Sequence, residues 1–165
     1  MAYLSTAIAN DFLDLADRDG RTITQMQVQK LVYFAHGWNL AINNEALSIE
    51  KFEAWDYGPV VRRLWEHLRR FGSKPVAGRI ADFVMVGGKF KTVVSNIADS
   101  PATSDKAAAL DVVRIVWDKY GHFSAIQLSE LTHLPDGPWA AARKAQQPFI
   151  DDCEIRNYFL RLKAG

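Results

Sequence analysis

Three times along the chain the same local arrangement appears: a small polar residue, a Gln or Glu three positions on, and an apolar pair flanking both. "ITQMQV" sets Thr24 against Gln27 with Ile23 and Val28 outside. "FSAIQL" sets Ser124 against Gln127 with Phe123 and Leu128, and "IDDCEI" sets Asp151 against Glu154 with Ile150 and Ile155. In each, the first side chain can accept from a backbone N–H of a helical first turn, and the second can reach back to the N–H of the cap. The apolar pair closes over the junction. A chain that opens three helices this way is committed to a largely helical architecture.

Apolar spacing supplies the bodies of the helices. Val28, Leu31, Ala35, Trp38 and Ile42 recur at three- and four-residue steps and stop at Asn43 and Asn44. Ile155, Tyr158, Phe159 and Leu162 follow the third cap, and Leu4, Ile8, Phe12 and Leu15 predict a first helix that stops near Gly20. Pro59, after Gly58, suits a first helical position, with Val61, Leu64, Leu68 and Phe71 as its buried stripe up to Gly72. From about Ser104 to Tyr120, the repeat Ala109, Val113, Val116 and Tyr120, with Leu110 and Trp117 beside it, makes a broad apolar face and predicts a central helix. A short helix is expected from Pro138 to about Ala145, before Pro148.

Two stretches read as extended. "KFEAW", 51–55, alternates into a "DYGP" turn, and "DFVMVGGKFKTVV" is a hairpin turning at Gly87-Gly88. "SNIADSPATS" is the expected flexible connection. The expectation is one mainly α domain over residues 1–165. About six helices gather around the Val28–Ile42 and Leu110–Tyr120 helices, with a small β element from 51–55 and 82–94.

Composition narrows the function classes. Twenty Lys and Arg against nineteen Asp and Glu leave a net charge of +1, which favours neither nucleic acid nor a membrane surface. The lone Cys153 allows no internal disulfide and fits a reducing compartment. "MAYLSTAIANDF" lacks a basic leader region, and no apolar run approaches the ~20 residues of a membrane helix. The expectation is a soluble cytoplasmic protein with no membrane partner.

Chemistry-bearing patterns are sparse. His36, His67, His122 and His133 include no pair at helical metal-ligand spacing, so no metal or cofactor is expected. Cys153 has Asp151, Asp152 and Glu154 as neighbours, which oppose a thiolate. "FGSKPVAG" lacks the spacing of a phosphate loop, and no catalytic acid–base pair can be located. Arg62, Arg63, Arg69 and Arg70 share a helix away from its apolar stripe. They suit phosphates or a protein partner, but pairing of Arg62 and Arg69 with Glu66 on an ordinary solvated face is the preferred reading.

Three longer blocks are more specific. "TQMQVQKLVYFAHGW", "FEAWDYGPVV" and "LSELTHLPDGPW" occur in this order and span Thr24 to Trp139. Together they resemble the Panacea antitoxin domain, also known as the phage-associated or SocA-like family. That family's pattern is a Lys-Leu-apolar-Tyr helix, a Glu-Ala-Trp-x-x-Gly-Pro-Val turn and a late histidine segment leading to Pro-Trp. The resemblance implies an antitoxin, without catalysis, that neutralises a co-encoded toxin by direct contact. A SocA-like member acts as an adaptor delivering its toxin to a protease. Lys30, Tyr33, Trp38, Trp55, Tyr57, Gly58, Pro59, His133 and Trp139 are the family-like positions.

Within that frame His133 reads as a structural group holding the corner between the Ser124 helix and Pro138, with Trp139 pinning it. Lys30, off the apolar stripe, would stack on an aromatic ring, neutralise a buried acid, or join Tyr33, Tyr57 and His133 in a cleft for a partner segment. The candidate partner anchors are Arg62, Arg63, Trp65, Arg69 and Arg70, because aromatic and arginine side chains carry most interface energy. A DNA-binding autorepressor using the same arginines is a second reading, an enzyme a weaker rival, and a homodimer stays open.

Overall fold

In the computed structural model, which describes residues 2–101 and 105–165, the capping signals act where the sequence places them. The elements run α1 (Ser5–Arg18), α2 (Gln25–Asn43), β1 (Glu53–Trp55), β2 (Gly58–Val60), α3 (Arg62–Leu68), β3 (Asp82–Val86), β4 (Lys89–Val93), α4 (Lys106–Tyr120), α5 (Ala125–Thr132), α6 (Pro138–Lys144) and α7 (Asp152–Ala164). Thr24 and Gln27 exchange both bonds of the capping box at the start of α2, as do Ser124 and Gln127 at the start of α5. Asp151 caps α7 by accepting from the Cys153 and Glu154 N–H groups, but Glu154 completes no box. A second carboxylate reaching back would sit beside the first, whereas a glutamine carries no charge. The expected start of α4 near Ser104 lies outside the described residues; within them Asp105 accepts from the Ala108 N–H.

Helix α2 is the axis of the molecule. Its sequence stripe predicts one buried face, yet every residue from Val28 to Ala41 is buried, while Ile42 at the end of the stripe is 41% exposed. The helix is enclosed by α1, α4, α5, α7 and β2, so its polar residues must find partners inside. Gln29 exchanges both amide bonds with the Val61 backbone at 3.0 and 3.1 Å. His36 Nδ1 accepts from the Leu47 and Ser48 N–H groups, which leaves Nε2–H to donate to Asp152 at 2.8 Å. Phe159 of α7 crosses α2 directly over Gly37, where a Cβ would lie 2.2 Å from its ring.

The two extended regions form separate two-stranded antiparallel hairpins, β1–β2 and β3–β4. One expectation is corrected: Pro59 does not start a helix but lies in β2, opposite Ala54. The helix begins only at Arg62 and continues through a 3-10 turn over Arg69–Phe71. In β3–β4, Gly87 and Gly88 take φ values of 58° and 77°, as the tight turn requires. The register puts Phe83, Met85 and Phe90 on one face, each more than 60% exposed.

The roots of that second hairpin are fastened by polar bonds. Asn10 of α1 holds the Ile80 N–H and C=O and the Ser95 C=O. Residues 95–99, expected as the start of a flexible connection, are tied down: Asn96 donates to Asp11 and Asp14, and Ile97 is fully buried. Asp82 accepts from Thr6, from Arg63 at 2.8 Å and from His67 at 3.1 Å. Burial pushes its carboxyl upward in pKa, but the Thr6 and Arg63 bonds and the charges of Arg63 and His67 outweigh this and hold it below the ordinary value.

Asp82→Ala should therefore cost about 1–2 kcal/mol at neutral pH in urea denaturation. The contribution exists above the ordinary carboxylate pKa and disappears as the pH falls through the lower folded value. The variant and wild type should converge in strong acid. A neutral-pH difference near zero would show that the cluster does not fasten the hairpin.

Among the described residues, no helix is long and apolar enough to cross a membrane. The mainly helical reading holds, with seven α-helices among the described residues and two small hairpins in place of one β element.

Candidate functional site

The site is built on the β1–β2 hairpin and the helices that carry it. Pro59 can stand in β2 because its cross-strand neighbour needs no ladder bond: the Ala54 N–H donates to the Pro148 carbonyl at 2.8 Å, and the Ala54 carbonyl accepts from Arg143 at 3.1 Å. Gly58 turns the chain at φ 106°, a conformation that disfavours side chains. A Cβ there would also lie 2.6 Å from Thr132 Oγ1 and 3.0 Å from Lys30 Cε.

Three late side chains clamp the turn. The successive carbonyls of Ala54, Trp55 and Asp56 accept from Arg143 Nη1 (3.1 Å), Trp139 Nε1 (2.7 Å) and His133 Nε2 (3.1 Å). His133 Nδ1 lies 2.5 Å from the Ser129 carbonyl, and its ring rests against Trp139 with centroids 4.0 Å apart. His133 thus ties the end of α5 to the β1–β2 turn, with both ring nitrogens on backbone carbonyls. Arg143 also pairs with Asp56 at 2.7 Å. The sequence reading missed it, although its position one turn after Trp139 on α6 was the available signal.

Above the clamp opens a groove of about 530 Å³. Trp55 and Trp65 meet edge to face at 5.3 Å and form one wall. Met26 and Gln29 of α2, Val60, Tyr57 and Ile126 complete much of the lining, and Tyr57 and Ile126 stand about 70% exposed at its mouth. Arg62 lies 5.2 Å over the Trp55 ring and Arg69 lies 5.3 Å over Trp65. Met26, Val60 and Ile126 carry no local site signal, because what brings them together is the packing of α2, β2 and α5.

Lys30 is the buried charged member. It lines the groove yet is only 1% exposed. It neither stacks on a ring nor meets an acid: Nζ donates to the Pro59 carbonyl at 3.1 Å, and burial lowers its pKa to about 7.

The other expected residues divide. Of the four residues expected to share a cleft, Lys30 and Tyr57 line the groove, His133 lies in the clamp beside it, and Tyr33 faces the core against Phe34, Phe52 and Phe159, where burial raises its pKa. Trp38 also lies in the core and donates to Tyr120 Oη at 3.0 Å. Arg62 and Arg69 do not pair with Glu66. Arg62 forms a two-pronged pair with Glu53, and Arg63 is held by Asp82. Arg69 and Arg70 stack on Trp65 and Phe71 without an ion pair among the described residues.

The structure thus sets an apolar, tryptophan-walled groove beside a histidine bonded to backbone carbonyls, in a mainly helical protein. Residues 28–140 match the family described as "Antitoxin SocA-like, Panacea domain". The chain belongs to this SocA-like Panacea antitoxin family, as the three sequence blocks indicate. The protein named Antitoxin SocA, from Caulobacter vibrioides (strain NA1000 / CB15N), is 31% identical over 133 residues. That match covers 81% of this chain and 66% of the relative, so the chain spans just under two thirds of that protein's length. No solved structure matches.

Proposed function

We propose that this chain neutralises a cognate toxin by direct, non-catalytic binding, and that the groove together with α3 anchors the toxin. The observation that carries this is the paired Trp55 and Trp65 wall with Arg62 and Arg69 stacked upon it. Aromatic and arginine side chains around an apolar depression are the composition of an interface hot spot. Arg62 and Arg63 already serve Glu53 and Asp82, so α3 offers less free positive charge than four arginines suggest, which weighs against DNA binding.

The test is co-expression with the product of the neighbouring gene, scoring growth and co-purification. Growth arrest by the neighbour alone, relieved by this chain in a stable complex, is expected. The pair Trp65→Ala/Arg69→Glu should weaken the complex about tenfold or more while leaving the fold intact. Full-strength neutralisation by that folded variant would remove the groove and α3 from the interface.

The adaptor reading is favoured by one separate observation. The exposed face of Phe83, Met85 and Phe90 on β3–β4 lies outside the groove lining and offers a second surface. Growth rescue accompanied by loss of the toxin and no stable complex would select that reading.

A further inference from the structure

The least compensated group at the groove is the Lys30 ammonium. An ammonium has three donors, and one of these is used, on the Pro59 carbonyl. Thr132, close by across Gly58, gives its hydroxyl hydrogen to the Ser129 carbonyl. No ion pair reaches Lys30 among the described residues, and no residue lining the groove is acidic. Most of the exposed wall is apolar, and among the described residues no second acceptor lies within hydrogen-bond reach of the Lys30 ammonium.

We propose that the groove receives an acidic side chain flanked by apolar residues on the toxin, with the Lys30 ammonium as counter-ion to its carboxylate. This rests on the reading that a toxin occupies the groove. Complementarity is both electrical and apolar. The carboxylate fills the two vacant donors of Lys30, and the flanking side chains pack against Met26, Trp55, Trp65 and Ile126. Arg69 adds positive charge at the rim over Trp65. Burial disfavours the charged lysine in the empty groove, and an arriving carboxylate offsets that cost with its opposite charge. A neutral segment of the same shape leaves the ammonium uncompensated and gains nothing from it.

Three short peptides test this, with binding followed by the fluorescence of the groove tryptophans. They are end-blocked Phe-Asp-Phe, end-blocked Phe-Asn-Phe, and Phe-Asn-Phe with a free C-terminal carboxylate. Wild type should bind the blocked acidic peptide about tenfold or more tightly than the blocked neutral one. Lys30→Met and Lys30→Gln should each abolish that ratio. Trp65→Ala should weaken both peptides while preserving it, which separates loss of the wall from loss of the charge.

Equal binding of the two blocked peptides, or no binding of either in the millimolar range, would overturn the proposal. Tighter binding of the free C-terminal peptide would overturn the choice of a side chain in favour of a chain end. Toxin rescue is scored separately. Failed rescue with the peptide ratio intact removes the toxin as the occupant and leaves the Lys30 counter-ion standing, whereas intact rescue with a ratio of one removes the counter-ion and leaves the antitoxin reading.

Discussion

Replacing Lys30 with methionine is expected to stabilise the protein by about 2–4 kcal/mol near pH 6. Methionine has a similar length and no charge to desolvate. It leaves the Pro59 carbonyl without its donor, a loss of about 1 kcal/mol already included in that range. The gain carries a pH signature.

In the unfolded chain this lysine titrates at its ordinary 10.5, and in the fold it is lowered to about 7. Below the folded value both states hold the proton, and the desolvation cost is present in full. Between the two values the unfolded chain binds more protons than the folded one, so wild-type stability rises with pH. The gap to the methionine variant should therefore be widest near pH 6 and nearly closed near pH 10. Urea denaturation of both proteins at the two pH values measures it. A gap that is absent near pH 6, or equal at both, would show that the charge is not held against its solvation. A position where an apolar replacement is more stable is the kind of site that function maintains against stability.

Gly37→Ala is expected to destabilise the protein by about 2–3 kcal/mol, a fall in Tm of roughly 5–10 °C. In an open helix the same change would gain up to about 1 kcal/mol from helix propensity. Here the new methyl group would sit 2.2 to 2.6 Å from three atoms of the Phe159 ring. That ring is fully buried and has little room to retreat, because Tyr33, Phe34, Trp38 and Tyr158 pack edge-on around it. Gly37→Ala/Phe159→Leu should recover about 1 kcal/mol relative to the sum of the two single changes, since each substitution relieves the other's misfit. Calorimetry on the four proteins checks this. A single alanine variant as stable as wild type would mean that α7 slides along α2 without cost.

What was legible in the sequence was what neighbouring residues decide among themselves. Thr24 with Gln27 and Ser124 with Gln127 are local chemistry, and so is the Gly87-Gly88 turn. Each appears where the sequence places it. Pro59 was misplaced because its fixed φ and missing N–H suit a helical first turn and an unpaired position in a hairpin equally well. Only the distant Arg143 and Pro148, which take up the opposite residue's backbone groups, decide between the two.

For Lys30 the sequence leaves three readings open, a ring, a buried acid or a cleft, and only the assembled helices show that it is enclosed with the Pro59 carbonyl as its partner. Arg62 likewise had a plausible partner one turn away in Glu66, yet the hairpin brings Glu53 closer. The groove was half legible: Trp55, Tyr57 and Trp65 were named as individual residues, but nothing local says that Met26 and Ile126 face them.

The clamp on β1–β2 has a temporal consequence. The groove lining is complete in the chain by Ile126, but the groups that fasten the Ala54, Trp55 and Asp56 carbonyls lie 77 to 89 residues downstream of them. Closing a loop of that length must await its far end. During synthesis, about one to three seconds separate the emergence of Ile126 from that of Arg143 at ordinary elongation rates. In that interval the nascent chain carries every side chain that lines the groove without the brace that shapes it. The groove therefore takes its final shape only after its entire lining has been synthesised.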